Sequence, residues 1–392
     1  MFPVFGHAAD DVKFSIRMLA LDANEGIAAG DVDGDGVKDL VAGRQWFRGG
    51  DWVARPLRNI KDWNGYIESN GDYLFDINGD GRLDVIAGAF VSTEVHWYEN
   101  PGKESLRLGK QWQPFLLKDT KNSQNEGQLF EDIDGDGSPE WIVNSWIKNR
   151  PMMVYRLVER PEATNPSTET GKARKANKTP PNTAKYSLAG HALGRSGNGH
   201  GLAVGDLNGD GKTDVMVGQG WYEQPAEDPW GQEWTFHADW DLHSSVPMII
   251  ADVDGDGDND VIVGEGHKYG LYWWEQLATE ADGKLTFKEH EIDSSFSQPH
   301  TLAWADLDGD GRKDLITGKR YFAHNGNDAG GNEPPCLYYF TWDPATSSFD
   351  RHTIDEGHVG CGLQIVVEDL NGDSKTDIAV AGKSGTYLLL AE

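Results

Sequence analysis

The stretch Asp31-Val32-Asp33-Gly34-Asp35-Gly36-Val37-Lys38-Asp39 sets oxygen-bearing side chains at its first, third, fifth and ninth positions. A backbone carbonyl is available at the seventh, and the glycine at the sixth permits a sharp turn. The pattern Asp-x-Asp/Asn-Gly-Asp-x-x-x-Asp recurs along the chain, starting at Asp31, Asp76, Asp132, Asp206, Asp252, Asp306 and Asp369, with one copy ending in Glu140 instead of Asp. The separations are 45, 56, 74, 46, 54 and 63 residues. The shorter spacings suit a four-stranded blade, and the longer ones are blades with loop insertions.

The flanks repeat with the loops. A short apolar run precedes each, as in Leu202-Ala203-Val204-Gly205 and Met248-Ile249-Ile250-Ala251. A β-branched run follows, as in Val85-Ile86-Ala87-Gly88 and Val261-Ile262-Val263-Gly264, then an aromatic strand such as Leu271-Tyr272-Trp273-Trp274. Short apolar runs bounded by glycine read as buried strands rather than helices. A fourth, alternating strand follows, as in Phe349-Asp350-Arg351-His352-Thr353-Ile354. The expected fold is therefore all-β: a seven-bladed β-propeller over residues 1–392, one domain, with a calcium-type loop in each blade. The last repeat stops one strand short, and Phe14-Ser15-Ile16-Arg17-Met18-Leu19 is an orphan of the missing type. The N-terminal strand is expected to complete the last blade, because closure removes the open sheet edges. Glu159–Lys185, rich in Pro, Thr, Asn and Lys, reads as a mobile insertion in blade three.

Seven loops supply the expected calcium ligands: Asp31, Asp33, Asp35 and Asp39 in the first, Asp76, Asn78, Asp80 and Asp84 in the second, Asp132, Asp134, Asp136 and Glu140 in the third, Asp206, Asn208, Asp210 and Asp214 in the fourth. The fifth has Asp252, Asp254, Asp256 and Asp260, the sixth Asp306, Asp308, Asp310 and Asp314, and the seventh Asp369, Asn371, Asp373 and Asp377. Ser374 stands where the turn prefers glycine, which marks the seventh loop as the weakest site. Packing three or four carboxylates per loop without a cation is strongly repulsive. The formal net charge of −29 disfavours nucleic acid and anionic membrane as partners. Sites of this class in extracellular modules bind calcium weakly, at about 10⁻⁴–10⁻³ M, so a secreted or periplasmic location is expected although Met1–His7 carries no signal-peptide pattern. No apolar run approaches the length of a membrane span, and a monomer is expected.

With strands alternating in direction, all seven loops share one face, and functional groups are expected on the other. Six residues before each of the first six loops, at the channel mouth, stand Glu25, Asn70, Glu126, His200, Val246 and His300, while the seventh repeat has a shifted spacing with His358 and Gln364 nearby. The turns on that face add Arg44, His267, Lys319, Arg320, Tyr321, His324 and Lys383. The mixture suits β-elimination, which needs neutralisation of the charge beside the acidic C–H, a base, and an acid for the leaving oxygen. On this reading His200 and His300 are the base or the ligands of a catalytic divalent metal such as Zn²⁺ or Mn²⁺, Arg320 and Lys319 neutralise the substrate, Tyr321 or His324 donates the proton, and His267 and Arg44 complete the candidate set. Trp46, Trp63 or Trp146 are candidates for stacking on sugars. His237, His290 and His352 lie in outer strands and read as structural. Cys336 and Cys361 fall in loops of adjacent blades, where pairing and free thiols are both open.

The loops and their strand flanks resemble the FG-GAP/VCBS repeat family, found also in integrin α-subunit propellers. That resemblance implies calcium between the first two strands of each blade. The family contains binding modules as well as ulvan and rhamnogalacturonan lyases and aldos-2-ulose dehydratase, so it implies either a carbohydrate lyase or dehydratase acting on a uronate or keto-sugar, or a non-catalytic propeller that binds a glycan or a protein. A calcium-hardened structural domain is a third expectation. Fold alone does not choose among them.

Overall fold

The computed structural model describes residues 11–392 except 148, 162–180, 197, 198, 243 and 278–283. Most of the expected blade-three insertion lies outside the described residues; its flanks, Met152–Glu159 and Tyr186–Gly194, pair as antiparallel strands.

Seven four-stranded antiparallel sheets form the seven blades. Their innermost strands are Ala28–Gly30, Gly71–Phe75, Asn125–Glu131, Leu202–Gly205, Ile249–Ala251, Pro299–Ala305 and Ile365–Glu368. Second strands such as Asp39–Ala42, Asp260–Gly264 and Asp377–Gly382 are buried along their whole length. They are packed on both faces by neighbouring blades, which is why they read as unbroken Val/Ile/Leu/Ala runs. Ile133, Ile142, Val154, Val215, Val217 and Tyr222, for example, form one core cluster between blades three and four.

The seventh blade is closed as expected. Phe14–Ala20 pairs antiparallel with Gly385–Ala391, from Phe14 opposite Ala391 to Ala20 opposite Thr386. The edge that Gly385–Ala391 would otherwise expose is thereby satisfied.

A third-strand aromatic repeatedly faces a flat group on the fourth strand. Trp97 stacks on Phe115 with ring centres 5.1 Å apart, Trp221 on His237 at 4.2 Å, Trp273 on His290 at 4.4 Å and Tyr339 on His352 at 4.5 Å. In blade one the partner is the Arg55 guanidinium, 5.2 Å from the Trp46 ring. Each pair is directly opposed in the ladder, the geometry in which cross-strand side chains stabilise a sheet. His237 and His290 are also tied to Glu223 and Glu275 at 2.8 and 2.7 Å. The outer-strand histidines hold blades together.

The acidic loops follow one plan. Asp31 accepts from the amides of Gly34, Asp35 and Gly36 at 2.8, 3.1 and 2.8 Å. The ninth-position carboxylate turns inward: Asp214 is fully buried and accepts from the amides of Leu207 and Gln224, each at 3.0 Å. Burial pushes its carboxyl up to about 7 against those two hydrogen bonds.

Candidate functional site at the channel mouth

The inner-strand entries and the turns between second and third strands lie at the end of each blade opposite the acidic loops, because paired strands run antiparallel. Five residues from four blades meet there. Glu126 is the second residue of the inner strand of blade three, His200 precedes that of blade four, His300 lies in that of blade six, and Arg320 follows Asp314–Lys319 in blade six. His267 comes from the turn of blade five.

Arg320 reaches across the mouth. Its Nε and Nη2 donate to the two oxygens of Glu25 at 2.8 and 3.0 Å, and its Nη1 donates to Glu126 Oε1 at 2.6 Å. All three side chains are buried. Burial pushes the Glu25 carboxyl up, but the guanidinium, with help from Lys383, outweighs it and holds the group at about 2. Burial likewise opposes ionisation of Glu126, and Arg320 again prevails, keeping it well below the usual carboxylate range. His300 is driven down to about 4, by burial first and by the Arg320 charge second.

The histidines crowd together. His200 Nε2 and His300 Nε2 are 2.9 Å apart, and Arg320 Nη1 lies 3.0 Å from the same His300 nitrogen. His267 lies over His200 with ring centres at 4.9 Å and stacks parallel on His324 at 4.7 Å. Asp328 accepts from both of the latter pair: its Oδ2 is 2.8 Å from His267 Nδ1 and its Oδ1 is 3.0 Å from His324 Nδ1. Gln298 Nε2 donates to Asp328 Oδ2 at 3.1 Å. Burial lowers the His267 imidazole against the pull of Asp328, which favours its neutral form.

Beside this cluster opens a cleft of about 560 Å³ lined by Phe90, Gln124, Glu126, Trp146, His267, Lys268, His324 and Asp328. Trp146 Nε1 donates to Glu126 Oε2 at 2.5 Å, and its ring lies 5.5 Å from that of His200. The cleft has apolar walls, convergent polar groups and perturbed titratable residues, the combination expected of a ligand site.

Of the residues singled out in the sequence, His200, His300, His267 and Arg320 converge, and His324 stands on the cleft wall. The structure does not bring Lys319, Tyr321 and Arg44 into the cluster. Lys319 and Arg320 are consecutive at the end of a strand, so their side chains leave on opposite sides. Arg320 takes the channel, and Lys319 is buried against Ser297 Oγ at 2.6 Å and the Gly330 carbonyl. Lys319 thus anchors the long loop that carries His324 and Asp328. Tyr321 packs beside Phe322, its Cβ near Gly360. Arg44 pairs with Asp22 at 2.8 Å and with Asp62 at 2.5 Å, bracing the Asp62–Ile67 hairpin at the rim. Arg320, spent on two carboxylates, is not a free cation for a substrate. Trp46 is buried in blade packing, while Trp63 is exposed. Cys336 and Cys361 are buried free thiols.

Asp328, Lys268, Phe90 and Gln124 were missed. Asp328 sits in the run Asn327-Asp328-Ala329-Gly330-Gly331, which carries no repeat signal. Only the path of the loop across to blade five gives it a role.

In the acidic loops, oxygens of Asp31, Asp33 and Asp39, of Asp132, Asp134 and Asp136, and of Asp252, Asp254 and Asp256 gather within 4.8 Å of one another. These donor sets fit a hard cation such as Ca²⁺. In blade one Arg48 already reaches both Asp33, at 2.7 Å, and Asp35. Lys212 and Arg312 similarly hold Asp210 and Asp310, at 2.7 and 2.6 Å.

The family described as FG-GAP-like repeat matches residues 76–143 and 252–317, and that described as FG-GAP repeat matches residues 198–226. No curated protein matches the chain significantly. Among solved structures, BBS1N in complex with ARL6DN, soaked with lead, is 11% identical with a TM-score of 0.52, covering 97% of this chain and 96% of that one. The same complex soaked with mercury is 12% identical with a TM-score of 0.48, covering 96% of each chain. The likeness to the lead-soaked complex is one of fold. The chain is a seven-bladed β-propeller, three stretches of which match FG-GAP or FG-GAP-like repeats.

Proposed function

We propose that this protein is a calcium-stabilised, secreted or periplasmic propeller whose channel mouth acts on carbohydrate as a carbon–oxygen lyase or dehydratase. The observation that carries the reading is the cleft itself. Trp146 and Phe90 offer apolar faces for a sugar ring, beside the exposed His324 imidazole that Asp328 orients and beside the Lys268 cation. His324 would take the proton next to a carboxylate or ketone, and the freed electron pair would become the new C=C bond. The β-oxygen would leave with the C–O bonding pair and take up the proton that His324 has removed. Lys268 would replace Arg320 as the group that neutralises a uronate.

The test is ultraviolet absorbance of the new C=C–C=O chromophore during incubation with uronate polysaccharides and then keto-sugars, in calcium. A rise that disappears in His324→Ala supports the reading. No product with either class overturns it.

A second reading, a non-catalytic propeller that recognises a protein or glycan, draws on the likeness in fold to BBS1N, which is in complex with ARL6DN. Exposed Trp63 and Phe322 favour it, at 38% and 37% exposure. Saturable glycan binding without turnover, abolished by Trp146→Ala, would select it.

A further inference from the structure

We propose that Glu126, His200, His267 and His300 form a binding site for one first-row transition-metal dication, with Zn²⁺ as the reference ion, distinct from the calcium-type loops on the opposite face. One ligand atom from each of these residues lies within 4.8 Å of the others. Three imidazoles and one carboxylate are a donor set that prefers such ions to Ca²⁺.

The hydrogen bonding argues for the ion independently. An imidazole Nε2 has a single in-plane position, either a lone pair or an N–H. His300 Nε2 is met there by Arg320 Nη1, which can only donate, at 3.0 Å, and by His200 Nε2 at 2.9 Å. Glu126 Oε1 lies 3.5 Å from the same atom. If His300 accepts from Arg320, its proton moves to Nδ1, which is buried with no hydrogen-bond partner among the described residues. If it donates instead, the guanidinium faces an N–H. A dication would take the Nε2 lone pairs of both imidazoles and one from Glu126, in place of the crowded contact between the two Nε2 atoms.

The surroundings suit a metal. Asp328 accepts from His267 Nδ1, which leaves the lone pair on Nε2, the carboxylate–histidine arrangement typical of metal ligands. Trp146 covers the cluster from the cleft side and donates to Glu126.

The inference shares the cleft with the reading above but does not depend on its chemistry; Zn²⁺ binding without elimination would keep the one and lose the other. The whole protein, stripped of metal and returned to calcium buffer, is titrated with Zn²⁺ by calorimetry, and with Co²⁺ while visible d–d absorption is recorded. The expected result is one high-affinity site per chain in the presence of calcium, with imidazole-type Co²⁺ bands. His200→Ala and His300→Ala should each weaken binding at least tenfold, and His237→Ala, in the outer strands, should leave it unchanged. Glu126→Gln preserves shape should the alanine variants unfold, and it should weaken binding as well. No saturable Zn²⁺ site in the wild-type protein would overturn the inference, as would a site indifferent to His200, His300 and Glu126.

Discussion

Arg320 grips Glu25 with two parallel hydrogen bonds, at 2.8 and 3.0 Å, joining residues 295 apart in sequence across the mouth of the channel. With the bond from Arg320 to Glu126, this single side chain ties blade six to the entries of blades one and three. Removing it leaves two buried carboxylates uncompensated. Arg320→Ala is expected to destabilise the fold by about 3–5 kcal/mol, measurable as a lowered midpoint in chemical denaturation. A loss under about 1 kcal/mol would show that the bridge contributes little beyond its own desolvation cost.

The same bridge sets an acid limb. Glu25 is held at about 2 against an ordinary value of 4.5. A carboxyl lowered on folding contributes stability that is fully present above its unfolded value and is lost as pH falls through the folded one. That contribution is about 3 kcal/mol, so stability should decline from about pH 4.5 towards pH 2. In Glu25→Gln this part of the decline should vanish, as followed by denaturation at successive pH values.

Asp328 is a positioning residue, holding His267 and His324 at 2.8 and 3.0 Å. Asp328→Asn keeps the shape but offers only one acceptor to the two N–H groups. Zn²⁺ affinity or turnover should fall about 10–100-fold, with the unfolding midpoint little changed. A calorimetric titration of the variant beside the wild type checks this.

Ser374 adopts φ 68°, a left-handed conformation that glycine takes at the equivalent place in the other six loops, as at Gly36 and Gly257 with φ 87° and 100°. Ser374→Gly removes that strain and keeps the backbone N–H that donates to Asp369 at 2.8 Å. A gain of about 1 kcal/mol is expected, together with tighter calcium binding in that loop. Thermal unfolding with and without chelator measures both.

Asp214 receives two buried backbone amides. Asp214→Asn turns one acceptor into a donor facing an N–H, which should cost about 1–3 kcal/mol. Because the same arrangement recurs at Asp84 and Asp377, equivalent losses are expected for Asp84→Asn and Asp377→Asn.

Removing the chain up to Leu21 would uncover the Gly385–Ala391 edge. The truncated protein should self-associate, since an unpaired strand edge is a template for further pairing. Size-exclusion chromatography would show larger species where the full chain runs as one.

The architecture was legible in the residues because a repeat states its rule seven times. Local constraints fix each copy: glycines where the loops turn left-handed, apolar runs where strands are packed on both sides, and an orphan strand whose only available partner is the last one. Offsets from the loops also placed Glu25, Glu126, His200 and His300 at one mouth, because strand direction alternates.

What that arithmetic did not contain is which side chains touch. Lys319 and Arg320 are adjacent in sequence and equally cationic, yet pleating sends one into the blade seam and the other across the channel. Asp328 lies in a glycine-rich loop without periodicity, and its two imidazole partners meet only after that loop crosses to blade five. The repeat determined the ring and its seven acidic loops. Tertiary packing alone decided the site, because its groups come from blades that share no local sequence and meet only once the ring has closed.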